Sequence, residues 1–217
     1  MILGSIAECA CLQRTWRAEC ERCARWAGRP RLRNSVAPLE VDGKTTLVLI
    51  RREIPGDELA IHGVHNAAFA GENGSTAPEA LLVNQLRVAG DAVPELSLVA
   101  EIRDTVVGHV LGSHARLDER PSLGLGPLGV LPIHQQQGIG TALMHAFLAA
   151  ADALGFPEAV LLGDPVYYRR FGFRLARPLG VLPPNPEWTQ HFQIRTLAAW
   201  TDRRAGVFHY APAFDDV

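Results

Sequence analysis

The sequence predicts one α/β domain, a mixed β-sheet flanked by helices, with an N-terminal extension ahead of it. Three features carry this. Between Leu125 and Gly163 an apolar strand, a glycine turn, an amphipathic helix and a second apolar strand follow in order. That is a β–α–β unit, whose two strands run parallel. Upstream, Leu96–Ile102 and Thr105–Ala115 flank Arg103-Asp104, a hairpin whose strands run antiparallel, so the sheet is mixed. Helical periodicity over 57–69 and 76–89 supplies further helices to cover it.

The chain has 217 residues, enough to bury a proper core, and 47% of them are hydrophobic. The net charge of −2 argues against general nucleic-acid binding. The charge is uneven: residues 1–44 hold eight basic and five acidic side chains, the remainder thirteen and eighteen. A mildly acidic body suits a cationic amine. No apolar run is long enough to span a bilayer, and the expected compartment is the cytoplasm.

Residues 1–44 are expected to be a poorly ordered, Arg- and Cys-rich extension, and 45–217 the folded domain. Cys9, Cys11, Cys20 and Cys23 have the letters of a metal site, but the stretch lacks the turn glycines of a zinc knuckle. No metal is expected. Met1-Ile2-Leu3 has no basic residue before it and Glu8 breaks the apolar run, which argues against a secretory signal. Without one, Asn73-Gly74-Ser75 reads as turn chemistry rather than a glycosylation site.

From Thr46 to Arg51 the composition is that of a strand, and Pro55-Gly56-Asp57 starts a helix over 57–69. Glu58, His62 and His65 sit on it. Histidines three apart can share a ligand, but solvated side chains are the commoner reading. Gly71–Ser75 is a turn. Thr76-x-x-Glu79 reads as a capping box for a second helix, which presents Leu82, Leu86 and Ala89 and stops at Gly90. The hairpin follows, then the strand Leu125–Leu131.

Pro132 ends that strand because it cannot donate to a ladder. Three glutamines and Gly138-Ile139-Gly140 lead into a helix marked by Ile139, Leu143, Phe147, Ala150, Ala151 and Leu154, with Gly155 and Pro157 as its stop. Glycines at the turn allow close backbone approach, and the first-turn N–H groups lack intrahelical partners. With the positive end of the helix dipole they form an anion site suited to a pyrophosphate. The nearby Gly124-x-Gly126-x-x-Gly129 matches a dinucleotide fingerprint by letters. It fails by context: Pro127 and Leu128 continue into the strand, no helix opens at Gly129, and Asp152 lies inside the later helix.

Gln135-x-x-Gly138-x-Gly140, led in by Val130-Leu131-Pro132, resembles the acyl-CoA-binding motif of the GNAT superfamily of acetyl-CoA-dependent N-acetyltransferases. Downstream, Tyr167-Tyr168-Arg169-Arg170-Phe171-Gly172-Phe173 resembles the family's Tyr-x-x-x-Gly-Phe segment, in the bacterial branch with a Tyr-Tyr pair. The resemblance spans roughly residues 46–176. It implies a centrally splayed sheet whose gap, between the strands before and after the long helix, takes the pantetheine arm. It implies cofactor contacts from Leu128, Gly129 and Val130 on the strand and from Gln135, Gln136, Gln137, Gly138, Ile139, Gly140 and Thr141 at the turn. One departure stands out: GNAT loops often carry Lys or Arg, with Gly before it, where this chain has Gln137 and Gln136. Phosphate binding then rests on backbone N–H groups and neutral amides.

The implied reaction is direct attack of a primary amine on the acetyl-CoA thioester. An enzyme must hold both reactants, deliver the amine unprotonated, and stabilise the oxyanion and the departing thiolate. The resemblance gives the carbonyl oxygen a main-chain N–H near Val130. It gives the sulfur a proton from Tyr168, four residues before Gly172, with Tyr167 left to packing. Relatives often place a Glu on the cofactor-binding strand, whereas Leu125–Ile133 has no carboxylate. The base stays open among Glu101, His109, His114, His134, Asp164 and a water chain.

Past Phe173, Pro178, Pro183, Pro184 and Pro186 mark a loop, then Phe192–Leu197 and Gly206–Tyr210 read as closing strands. The loop with Trp188 either covers substrate or packs on the sheet edge. The expected partner is a small-molecule or peptide amine, with no nucleic acid and no membrane, and the chain is open to homodimer formation. The rival is a non-catalytic acyl-CoA-binding module of the same fold; a third reading, metal-dependent nucleic-acid binding through the Cys/Arg extension, requires zinc.

Overall fold

Arg103 and Asp104 both adopt left-handed backbone conformations, φ 48° and 62°, the requirement of a tight two-residue hairpin turn. The structure, a computed structural model, describes residues 36–41, 44–69, 75–201 and 204–216. The turn joins β3 (Ala92–Ile102) to β4 (Thr105–Leu117), and Ile102 faces Thr105 across it. Ahead of them come β1 (Val36–Val41) and β2 (Lys44–Arg52); after them β5 (Arg120–Val130) and β6 (Glu158–Leu162). The later strands are β7 (Arg174–Leu175), β8 (Val181–Leu182), β9 (Phe192–Thr196) and β10 (Gly206–His209). The strand order is β1-β2-β3-β4-β5-β6-β9-β7, with β10 bridging β4 and β8.

The sheet is mixed and splayed at its centre. β5 and β6 are parallel but meet at one register pair, Gly124 with Val160. Beyond it β6 pairs with β9 along Glu158–Leu162, while β5 stays on β4 as far as Val130. The edge of β5 from Leu125 to Val130 is therefore open toward β6. A bulge sits in this stretch. Val110 and Gly112 of β4 oppose Leu128 and Leu125, so β5 carries one extra residue around Gly126, whose φ is 148°.

Four helices cover the sheet among the described residues: α1 (Glu58–Phe69), α2 (Pro78–Ala89), α3 (Ile139–Ala153) and the short α4 (Pro165–Tyr168). Strand alternation sorts the core. Leu98, Ala100 and Val110 pack with Ile139, Leu143 and Phe147 of α3, whereas Val99 and Leu111 pack with Ile61, Val64 and Leu86 of α1 and α2. Burying each large side chain contributes roughly 1.5–3 kcal/mol. α3 lies close to β4 because Gly108 and Gly112 make room: a Cβ there would meet Leu143 Cδ1 at 3.1 Å and Phe147 Cε2 at 3.0 Å.

Several expectations are corrected. No capping box opens α2: its N-cap is Ala77, Pro78 occupies the first turn, and no side chain caps it. Asn66 of α1 serves instead, its Oδ1 accepting from Ala77 N–H at 2.9 Å. His65 is fully buried rather than solvated. Leu154 ends α3 with 47% exposure, off the core face. β3 and β5 begin four and five residues earlier than their apolar runs. β1 lies within the segment assigned to the extension and pairs antiparallel with β2 from Val36↔Leu49 to Val41↔Lys44. The four cysteines, and residues 71–74 with Asn73 and Gly74, lie outside the described residues.

Candidate functional site

The open edge of β5, the turn after it and α4 enclose a cleft of about 670 Å³. Leu128 and Val130 line it from the strand, Gln135, Gln136, Gly138, Gly140 and Thr141 from the turn, and Tyr167, Tyr168 and Arg170 from the far side. The turn is shaped by backbone chemistry. Pro132–His134 forms a 3₁₀ turn, Gln136 takes φ 60°, and Gly138 takes φ 83° at the N-cap of α3. The first helical bond runs from Ala142 N–H to Gly138 O at 2.9 Å. The N–H groups of Ile139, Gly140 and Thr141 precede it and face out of the helix end, an anion-binding arrangement. Two amides brace the turn: Gln135 Nε2 donates to Val130 O at 3.0 Å and Gln137 Nε2 to Ile133 O at 3.1 Å.

Three residues expected at the cofactor do not line the cleft. Ile139 is in the core, 1% exposed. The Gln137 amide is turned to Ile133. Gly129 presents its side-chain position to the opposite sheet face, where a Cβ would lie 2.8 Å from His65 Nδ1. What remains available from these three at the cleft is main chain.

Each tyrosine rests on a glycine. Asp164 caps α4, its Oδ1 accepting from Val166 N–H at 2.9 Å, and so sets the helix that carries both rings. Tyr167 Oη lies 3.0 Å from where a Cβ on Gly140 would sit. The Tyr168 ring covers Gly163, with Cε2 standing where a Cβ there would go. The rings stand at 89° to each other, 4.9 Å between centroids, and Tyr168 also packs edge-on against Phe173. Burial pushes the Tyr168 hydroxyl up to about 12, so it is a protonated phenol at neutral pH. Burial raises Tyr167 as well, against the pull of Arg170.

Arg170 joins the cleft beyond the residues the sequence motifs single out. Its guanidinium sits 4.9 Å from the Tyr167 ring centroid and lines the cleft. It brings to the cleft a positive charge that the turn lacks at Gln136 and Gln137. The signal was the i, i+3 spacing from Tyr167, which sets both on one face.

The candidate bases scatter. Glu101 is held by Arg51 at 2.7–2.8 Å, Asp164 is spent on its cap, and His114 is exposed on β4. His134 lines the cleft with a buried, unpartnered Nδ1. His109 is buried on the α1 face of the sheet, bonded to His65 at 2.7 Å and Ser97 at 2.9 Å. Trp188 lines a second cavity, about 490 Å³, with Tyr210 and Asp215. The Tyr210 ring lies against Gly124, Cδ1 3.4 Å from its Cβ position, at the single β5–β6 register pair.

Residues 94–175 match the family model described as an acetyltransferase (GNAT) domain. The uncharacterized N-acetyltransferase YhbS of Escherichia coli K12 is 32% identical over 154 residues, 70% of this chain and 88% of that protein. The chain belongs to the GNAT superfamily of N-acetyltransferases. Among solved GNAT structures, YhbS from Escherichia coli in complex with CoA superposes with a TM-score of 0.72 at 30% identity, covering 79% of this chain and 94% of that one. A GNAT acetyltransferase from Brucella melitensis in complex with acetyl-CoA gives 0.65 at 35% identity, covering 77% and 98%. The GNAT fold accounts for the glycines at 124, 126 and 129: they lie in or beside the bulged strand β5, and no helix opens after them. Among the described residues no helix is long and apolar enough to cross a membrane, and no three His, Cys, Asp or Glu side chains are grouped to hold a metal ion.

Proposed function

We propose that this GNAT chain binds acetyl-CoA in the β5–β6 cleft and transfers the acetyl group to a primary amine by direct attack on the thioester. One observation carries the reading: a strand edge free of ladder partners runs from the α3 turn to a splay faced by a protonated tyrosine. The two relatives solved with CoA and acetyl-CoA support it.

In this reading the first-turn N–H groups of α3 take the pyrophosphate, with Arg170 adding charge at the cleft wall. The open main chain of Leu128–Val130 pairs with the pantetheine amides and supplies an N–H to the thioester oxygen. Tyr168 gives its proton to the departing sulfur. The amine enters from the Trp188–Tyr210–Asp215 cavity, where aromatic rings and the Asp215 carboxylate stand beside Arg116 and His209. The substrate is a small-molecule or peptide amine and the compartment the cytoplasm; neither metal nor nucleic acid takes part.

The rival is a non-catalytic acyl-CoA-binding module. It is favoured by the lack of a carboxylate in Leu125–Ile133 and opposed by Tyr168 at the cleft. A mass-spectrometric screen of amines with acetyl-CoA separates them. The transferase reading expects an acetylated amine and stoichiometric CoA; acetyl-CoA bound but released unchanged with every amine contradicts it.

A further inference from the structure

On the α1 side of the sheet, polar side chains form one continuous file. Arg87 of α2 pairs with Glu53 Oε1 at 2.7 Å, and Glu53 Oε2 accepts from Ser97 Oγ. Ser97 Oγ meets His109 Nε2 at 2.9 Å, and His109 Nδ1 meets His65 Nε2 at 2.7 Å. Both histidines are fully buried and Ser97 is 5% exposed. The file ends at His65 Nδ1, a buried ring nitrogen with no hydrogen-bond partner, against Gly129 of β5. A buried polar atom left without a partner calls for an explanation.

Hydrogen-bond chemistry gives the file a direction. A carboxylate only accepts, so Ser97 spends its one proton on Glu53 and must itself accept from His109 Nε2–H. A neutral imidazole carries one proton, so His109 Nδ1 is bare and accepts from His65 Nε2–H. By the same count His65 Nδ1 is a bare lone pair. The neutral state is secured by the surroundings: burial, Arg87 and His62 hold His65 down to about 3, and burial, His65 and Arg87 hold His109 well below 6.5. Glu53 is the anionic group facing the pair, its Oε2 3.9 Å from His109 Nε2. Every donor thus points toward Glu53, and the free acceptor points at β5. Gly129 lies between Leu128 and Val130, which line the cleft. Nδ1 therefore stands one backbone thickness from the cleft edge. Beside it, a Cβ on Gly126 would meet no atom within 4 Å, so the bulge leaves space there.

We propose that this file is the proton-accepting relay of the transfer step, with His65 Nδ1 as its entry and Glu53 as its store. The inference rests on the acetyl-transfer reading above. The amine nitrogen bonds to the thioester carbon and the C–S bond breaks, its electron pair taking a proton from Tyr168. The proton shed by nitrogen goes to His65 Nδ1 through one water held at the bulge, where Gly126 leaves open space. His65 Nε2–H then passes to His109 Nδ1, His109 Nε2–H to Ser97, and the Ser97 proton to Glu53, which becomes a carboxylic acid. No buried imidazolium persists. After the products leave, the shifts reverse, Nδ1 gives its proton to water, and solvent returns one to Tyr168. His109, Ser97 and Glu53 are positioning residues in this scheme; His65 alone meets the reacting proton.

The test uses the full chain in two arms. ¹⁵N NMR of the histidine side chains should show His65 and His109 as neutral Nε2–H tautomers throughout pH 5–9, with Glu53→Gln, which can also donate, mixing the tautomers of His109. An Nδ1–H tautomer on either ring, or an imidazolium at pH 6, overturns the relay. With the amine that the screen identifies, Ser97→Ala and Glu53→Gln should each lower kcat by about 10–100-fold and leave the KM for acetyl-CoA within about twofold. Ser97→Thr, which keeps the hydroxyl, should recover most of kcat. Wild-type kcat in Ser97→Ala overturns the relay even if the tautomers are as stated. The NMR arm needs no acceptor, so a wild-type protein that acetylates nothing counts against the transferase reading while the tautomers still judge the file.

Discussion

Tyr168→Phe removes one hydroxyl from the cleft and leaves the ring that covers Gly163 and packs on Phe173. Burial moves that hydroxyl from the ordinary 10.0 to about 12, which makes proton release harder by about 3 kcal/mol at 1.36 kcal/mol per unit. The departing thiolate, whose conjugate thiol has an ordinary pKa of about 8.5, is a weaker base than the phenolate. Tyr168 therefore does not hand over its proton early; it stabilises sulfur only as the C–S bond breaks and charge develops. That places its worth toward the low end of the general-acid range of about 10²–10⁴, so kcat should fall by about 10². The KM for acetyl-CoA should barely move, because the ground state is held by the turn. Tyr167→Phe is the internal control. Its ring stands at 89° to that of Tyr168 and its hydroxyl abuts Gly140. Its loss should leave kcat within about twofold and weaken acetyl-CoA binding by at most about 1 kcal/mol, one neutral hydrogen bond. The assay is steady-state CoA release with the acetylated amine quantified. A crippled Tyr167→Phe beside a normal Tyr168→Phe refutes the assignment.

Three further outcomes follow from the same geometry. His65 is held at about 3 against an unfolded value near 6.5. Between those values only the unfolded chain binds the proton, so stability is full above pH 6.5 and lost as pH falls. His65 should cost about 2 kcal/mol of stability at pH 5, with His109 adding in the same direction; urea midpoints at pH 7 and pH 5 measure it, and equal midpoints contradict it. Glu158 is fully buried and takes Arg204 on both oxygens, at 2.7 and 2.8 Å, so Arg204→Met should destabilise by about 3–5 kcal/mol in urea unfolding. Gln135→Ala frees Val130 O and should weaken CoA by about 0.5–1.5 kcal/mol by calorimetry; an unchanged Kd would remove Gln135 from the site.

The parts legible in the sequence are those where local chemistry and tertiary packing agree. Arg103-Asp104 adopted the left-handed turn its neighbours required, and Gly138 adopted the αL cap of α3. The capping box at Thr76 failed because Pro78 and Asn66, which bonds to Ala77 eleven residues on, offered the helix another start. Short β7 and β8, the second set between prolines, are hidden because two-residue strands have no periodicity to read. The turn and tyrosine motifs came through as spacing. Arg170 and the facing of Gly129 did not, because both depend on which way a side-chain position turns in the fold. His65 is the sharpest case. Its helical neighbours suggested solvent, yet the missing side chain of Gly129, across the interface, is what lets it be buried.

Titration of CoA into wild type and Gly140→Asp decides whether the α3 turn holds the pyrophosphate of CoA. The added carboxylate would stand at the helix end and displace Tyr167 Oη, 3.0 Å from the new Cβ. At about 4 Å from a phosphate charge it would repel by about 4 kcal/mol at an effective dielectric of about 20, roughly a thousandfold in Kd. Wild type should bind one CoA per chain and Gly140→Asp none at matched concentration, with both equally folded by circular dichroism. A Gly140→Asp protein that binds CoA as tightly as wild type would place the pyrophosphate elsewhere.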